Sequence, residues 1–289
     1  MLNEIRALGF THAELGHGIR LSLVDGIQQA VAAGEIKISS VHNFCPLPLG
    51  VMGPAPDYYL PSSRRETERA LAVRHTLRSI DCAASVGARA VVLHLGLVVM
   101  RNYTHRLLAL HADGHRDTPK FERLRAKALA VRDRKRQKFI DHVSRTLDVL
   151  VPRAQETGVK LGIETRLGLE EIPSEAETDE FITRFGTETV TYWHDVAHAL
   201  IKEELGLLNT EQILARFRDR TSGMHLQDFA PPAIDHLPPG KGAFDFGRLA
   251  PFLRDEMVLA WEIHPRWSGA EIRDSVARVH KSLPHPRPA

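Results

Sequence analysis

The sequence has little cysteine: Cys45 and Cys82 are the two in 289 residues. So small a number makes no disulfide framework, and a reducing, cytoplasmic setting is expected. Charge of one sign is also missing. Lys and Arg number 38 against 36 Asp and Glu, a formal net charge of +2. That balance gives no field to draw in nucleic acid or an anionic membrane, so neither is an expected partner. Long apolar runs are absent. The longest, Ala90 to Met100, contains His94 and is too short to span a bilayer. The opening Met-Leu-Asn-Glu-Ile-Arg is not a basic segment followed by an apolar one, so no signal peptide is expected. No Pro/Gly/Ser-rich linker divides the chain, and one domain over residues 1–289 is expected. Aromatics are sparse at 6%, yet 43% hydrophobic residues suffice for a large core.

What is present is an alternation. Strand-like runs lie at Thr11–Gly16, Ile38–Phe44, Ala88–Gly96, Val159–Arg166, Val190–Asp195, Ser222–Asp228 and Met257–Pro265. Helical spacing separates them, as in Glu66–Val86 and Glu211–Arg218. This pattern argues for a parallel sheet with helices outside it, and the length suits a TIM (β/α)8-type barrel. Seven strands are found where such a barrel needs eight. The chain opens on an amphipathic helix, Leu2–Gly9, and the strand that should precede it is missing, through truncation or a late start. The open edges then call for cover by a partner chain or by the Pro-rich tail from Leu283 to Ala289. A long helix is expected from about Thr118 toward Gly158. Its basic cluster Arg132, Arg134, Lys135, Arg136 and Lys138 reads as a solvated face, with phosphate or nucleic-acid binding the lesser alternative.

Four strand-like runs in the second half end in an acid or a histidine: Glu164 in VKLGIETR, Asp195 in VTYWHDVAHA, His225 in SGMHLQD and Glu262 in MVLAWEIHP. Barrel chemistry sits at the C-terminal ends of strands, and a ring of such ends would gather these four. They form a complete ligand set for one divalent metal, and the mixed oxygen and nitrogen donors suit Mn2+, Mg2+ or Zn2+. Strand alternation puts Gly162, Glu164 and Arg166 on one face, and Ala260, Glu262 and His264 together. A buried carboxylate needs a cation; pairing with Arg166 or Arg266 is the simpler alternative. The D-x-x-H spacing aims Asp195 and His198 at one space, while His194 alternates away and reads as a packing residue. Asp228 follows His225 by three residues. His236, in the loop Ile234-Asp235-His236-Leu-Pro-Pro-Gly240-Lys-Gly242, is open between ligand, substrate contact and loop anchor. Gly240 and Gly242 suit a backbone closing over a ligand. His42 and His94 lie near strand ends. His75, His111, His115 and His280 read as surface residues.

Together LGFTHAELG, SSVHNF, VVLHLG, LGIETR, WHDVAHA, MHLQD, DHLPPGKGAFDF and AWEIHP resemble the xylose isomerase-like TIM-barrel superfamily, over nearly the whole chain except the first strand. That superfamily holds sugar and sugar-phosphate isomerases and epimerases, and the endonuclease IV branch (AP endonuclease family 2). Resemblance to the epimerases implies one divalent ion on Glu164, Asp195, His225 and Glu262, with both Glu doubling as proton-transfer residues and His198 touching substrate. Resemblance to the endonuclease branch implies two or three Zn2+ with His42, His94, His198 and His236 as further ligands. The chain departs from that branch at Ile234, where its Asp-x-His pattern needs an acid, and from the epimerases at Phe229-Ala-Pro-Pro, where an Arg is usual.

The expected function is a metal-dependent isomerase or epimerase of a sugar, sugar phosphate or polyol, working by proton transfer through an enediolate. Glu164 and Glu262 carry the proton; His198, His94, His42, Arg166, Trp193 and His236 contact substrate, and Trp193 or Trp267 walls the pocket. The alternatives are a multi-zinc hydrolase and a catalytically inactive barrel. A homo-oligomer that covers the open edges is the expected assembly.

Overall fold

The computed structural model describes residues 1–279. His280 and the Pro-rich tail lie outside the described residues. Seven parallel strands hydrogen-bond in the order β1-β2-β3-β4-β5-β6-β9. They are β1 (His12–Leu15), β2 (Lys37–His42), β3 (Ala90–Leu93), β4 (Lys160–Glu164), β5 (Val190–Asp195), β6 (Thr221–Leu226) and β9 (Val258–Trp261). Five of them fall inside runs read from the sequence, and β2 and β6 begin one residue before theirs. A two-stranded antiparallel ladder, β7 (Asp228–Ala230) with β8 (Ile234–Leu237), was not expected. The stretch read as a tight loop from Ile234 therefore begins as a strand. Helices alternate with the strands: α1 (Leu2–Ala7), α2 (Val24–Ala32), α3 (Glu66–Ser85), α4 (Tyr103–Ala112), α5 (Pro119–Thr157), α6 (Glu175–Phe185), α7 (Val196–Glu204), α8 (Thr210–Phe217) and α9 (Gly269–Val279). This is the α/β strand order of a TIM barrel with one strand fewer, and α1 stands where the sequence placed the opening helix.

The backbone divides into two compact units: Met1–Val98 with Lys135–Glu164 and Glu171–Trp193, and Val99–Arg134 with Thr165–Glu170 and His194–Ala289. In the first, β1 to β4 pair in parallel with each other and with the start of β5. β3 is buried at every position, and its Val91-Val92-Leu93 is the unbroken apolar run that parallel strands show. α3 buries Ala72, His75, Thr76, Ser79, Ile80 and Ala83, one stripe at helical spacing. His75 is thus a core residue and not the surface residue its sequence context suggested. Its ring stacks on Tyr59 at 5.3 Å and 9°. α6 starts at a capping box: Ser174 accepts from the Glu177 backbone, and the Glu177 carboxylate accepts from Ser174 N–H at 2.7 Å.

In the second unit, one cluster collects Val196, Leu200 and Ile201 of α7 with Leu214, Met224, Leu226, Phe229 and Leu249. Burial at this scale stabilises by about 1.5–3 kcal/mol per large side chain. Asp195, the last residue of β5, is the N-cap of α7. α5 runs for 39 residues and belongs in part to each unit. Along it Arg134, Lys135 and Lys138 are exposed, as a solvated face requires. Arg132 departs from that expectation: it is buried and donates to the Leu169 carbonyl at 2.7 Å. Cys45 and Cys82 are both buried and unbridged. Among the described residues, no helix is long and apolar enough to cross a membrane.

Candidate metal and substrate site

The first unit brings together His42, His94 and Glu164. Glu164 ends β4, His42 ends β2, and His94 follows β3 directly. Parallel pairing of Val92 with both His42 and Gly162, and of Leu93 with Ile163, carries these three ends side by side. His94 Nε2 lies 2.6 Å from Glu164 Oε2, and His42 Nε2 lies 3.4 Å from the same oxygen. His42 Nδ1 faces the Asn43 carbonyl at 3.1 Å, and His94 Nδ1 faces the Asp57 carboxylate at 3.0 Å. Both partners accept only, so each Nδ1 carries the proton. In a neutral ring each Nε2 then presents a lone pair to a carboxylate oxygen. That arrangement is repulsive unless a cation, proton or metal, lies among them. Glu164 is 1% exposed, which makes the demand strong. Gly162, two residues earlier on the same face, lies under Trp193. A Cβ there would come within 2.9 Å of the indole. Trp193 is fully buried, and its position on β5 pairs in register with Glu164.

The second unit brings together Asp195, His198, His225, His236 and Glu262. Atoms of Asp195, His225 and Glu262 fall within 4.8 Å of one another. His225 Nδ1 stands 3.0 Å from Glu262 Oε2 and 3.7 Å from Asp195 Oδ2. Asp195 and His225 are fully buried, whereas the Glu262 side chain is 30% exposed. Two carboxylates and an imidazole at such spacing are a donor set for a small divalent ion, and the group fits one. Asp195 Oδ1 accepts from His198 N–H at 2.8 Å. The D-x-x-H spacing is therefore a helix cap as well as a pairing of functional groups. His198 Nδ1 meets the Thr165 carbonyl at 3.0 Å, which makes its Nε2 the acceptor. His194 is fully buried on the other side of β5, and burial pushes its pKa down to about 3, with His198 adding to the effect. That agrees with its reading as a packing residue.

His236 has φ +53°, the left-handed region, which costs about 1–2 kcal/mol for a residue with a Cβ. Its backbone is held from both sides: N–H donates to Gln227 Oε1 at 2.5 Å, and its carbonyl accepts from His264 N–H at 3.0 Å. The ring then lies 3.0 Å from Asp235 and 3.7 Å from Glu262. Burial opposes its charge, but the Asp235 and Glu262 carboxylates prevail and push its pKa up to about 10.

Asp228, three residues after His225, anchors the loop that follows it. Its buried carboxylate accepts four backbone N–H groups: Phe229 and Phe244 on Oδ1, Gly240 and Gly242 on Oδ2, at 2.7–3.0 Å. The backbone at Gly240 and Gly242 thus closes over Asp228. A Cβ at Gly242 would collide with the Phe229 carbonyl. Arg266 stacks on Trp267 at 5.1 Å. Gln227, fully buried, was not singled out from the sequence. Nothing local marks an amide whose partners are nine and 32 residues away.

Parallel strands of an α/β barrel ending in histidines and carboxylates define the class. A family model described as xylose isomerase-like TIM barrel matches residues 2–281, and the chain belongs to that family. Comparison with curated protein sequences gave no match. Among solved structures the chain is similar to a putative xylose isomerase from Rhodospirillum rubrum, at 16% identity and TM-score 0.71, covering 98% of this chain and 93% of that one. It is also similar to 3-keto-D-glucoside 4-epimerase YcjR from E. coli, at 18% identity and TM-score 0.66, covering 97% and 92%. D-Psicose 3-epimerase, solved in the presence of D-fructose, aligns at 14% identity and TM-score 0.67, covering 98% and 92%. At these identities the likeness shows the fold.

Proposed function

We propose that the protein is a divalent-metal-dependent isomerase or epimerase of a small carbohydrate-like substrate. The observation that carries this reading is the gathering of Asp195, His225 and Glu262, two of them with no exposure, in a chain of this family. Glu164 is proposed as the fourth ligand. It pairs in register with Trp193 on β5, and Asp195 follows two residues later on the same strand face. The similar structures, two epimerases and a putative xylose isomerase among them, lean the same way.

A bound ion would supply Lewis acidity to a carbonyl and its neighbouring hydroxyl. The chain's own residues do the rest. Glu164 and Glu262 take and return the proton on carbon, from opposite sides of the substrate. His198 and His94 orient hydroxyl groups, with Nε2 as the working nitrogen of each. His42, Arg166 and His236 complete the proposed contacts, and Trp193 backs the site. The test is solvent deuterium uptake into candidate ketoses by the metal-loaded protein. Uptake is expected with at least one sugar, sugar phosphate or inositol derivative; no exchange with any of them counts against the reading.

A second reading is a hydrolase with two or three zinc ions. The two imidazole lone pairs aimed at one oxygen of Glu164 favour it. Metal stoichiometry separates the readings: one ion per chain supports the epimerase, and two or more support the hydrolase.

A further inference from the structure

We infer that Gln227 is the positioning residue of this site, resting on the metal-dependent reading above. It follows β6 directly and lies two residues beyond His225, so the two share a strand face. Its amide is used at both ends. Nε2 donates to Asp195 Oδ2 at 2.7 Å, and Oε1 accepts from the backbone N–H of His236 at 2.5 Å. One side chain therefore sets the rotamer of a proposed ligand and the backbone of a proposed substrate contact.

The chemistry of the position is narrow. Asp195 needs a donor and His236 N–H needs an acceptor, and a side-chain amide offers both in one plane. Glutamate would present an acceptor to a carboxylate, and methionine would satisfy neither partner. Asp195 Oδ1 is already fixed by His198 N–H at 2.8 Å, so the Gln227 contact on Oδ2 removes the remaining rotation of the carboxylate. At His236 the same amide acts together with His264 N–H, which holds the carbonyl at 3.0 Å. The left-handed backbone of His236 persists because both of its polar atoms are held. The ring is then delivered toward Glu262, 3.7 Å away. Gln227 touches neither the proposed ion nor substrate in this scheme. It acts through Asp195 and His236.

The variant is Gln227→Met, of equal length and without polar ends. Gln227→Ala, where water can enter the vacated space, serves if the methionine protein does not fold. Folding is followed by circular dichroism melts. Mn2+ affinity is measured on metal-free protein from the electron paramagnetic resonance of unbound Mn2+. Imidazole 15N and 13C signals of His236, assigned with His236→Asn, report the loop. Orienting partners of metal ligands affect affinity by about 10–100-fold, so a loss of that size is expected in a folded variant. The His236 signals should move in the same protein even without Mn2+. Unchanged affinity together with unchanged His236 signals would overturn the inference. If the wild type itself binds no Mn2+, the metal-dependent reading has failed, and the His236 signals alone decide the role of Gln227: a shift supports the clamp, and no shift sinks it.

Discussion

The Trp193 indole occupies the space that a side chain at position 162 would need: a Cβ on Gly162 would stand 2.9 Å from its ring. This contact seats the β4 backbone against β5 and so fixes where Glu164 ends. Gly162→Ala forces a fully buried tryptophan to move. Overpacking of this kind costs about 1–3 kcal/mol, to be read from urea unfolding midpoints. Loss of activity should exceed what the stability change explains, because Glu164 is two residues away.

Asp195 caps α7 and is also a proposed ligand, and two substitutions separate these roles. Asn is as good an N-cap as Asp, so Asp195→Asn should keep the helix start while weakening metal binding. Asp195→Ala should lose metal and about 1 kcal/mol of stability besides, the usual worth of a cap. Thermal melts of the metal-free proteins, beside metal content by elemental analysis, check both halves.

Asp228 gathers four backbone N–H groups with one carboxylate. Hydrogen bonds to a buried charge contribute about 1.5–3 kcal/mol each, so Asp228→Ala should destabilise by at least about 3 kcal/mol. The earliest sign should be faster proteolytic cleavage after Lys241, which lies between the two glycines that Asp228 holds. Gly242→Ala should open the same loop by steric collision with the Phe229 carbonyl.

Burial, with Arg78 and Arg74 nearby, holds His75 below the usual imidazole range. Such a group is neutral when folded and takes up a proton more readily when unfolded. The unfolded state therefore binds more protons, and stability falls as pH drops below about 6.5, the ordinary histidine value. Urea unfolding at pH 7.5 and 5.5 should show this decline. Replacing His75 with Gln should flatten it.

The strands and their order were legible because each is a short apolar run between turn signals, and the family's motifs sit at their ends. The β7–β8 ladder was not legible: its strands have three and four residues and Pro231-Pro232 between them. It depends on the non-local cradle of Asp228 and not on strand propensity. His75 misled for a similar reason, since its helix stripe mixes Thr76 and Ser79 with Ala72, Ala83 and a single large aliphatic, Ile80, and carries a weak apolar signal. Asp228 and Gln227 were illegible as supports because most of their partners lie far along the chain: backbone N–H groups of the 240–244 loop for Asp228, and the Asp195 carboxylate and His236 N–H for Gln227. That histidines and acids stand at strand ends could be read; what holds them in place could not.

Asp195 Oδ1 accepts from the first turn of α7 and Oδ2 from the Gln227 amide, so each oxygen keeps one lone pair for a cation. A carboxylate tethered at both oxygens cannot swing to follow an ion. Any cation that Asp195 holds must therefore come to a donor whose aim the start of one short helix and a single amide have already set.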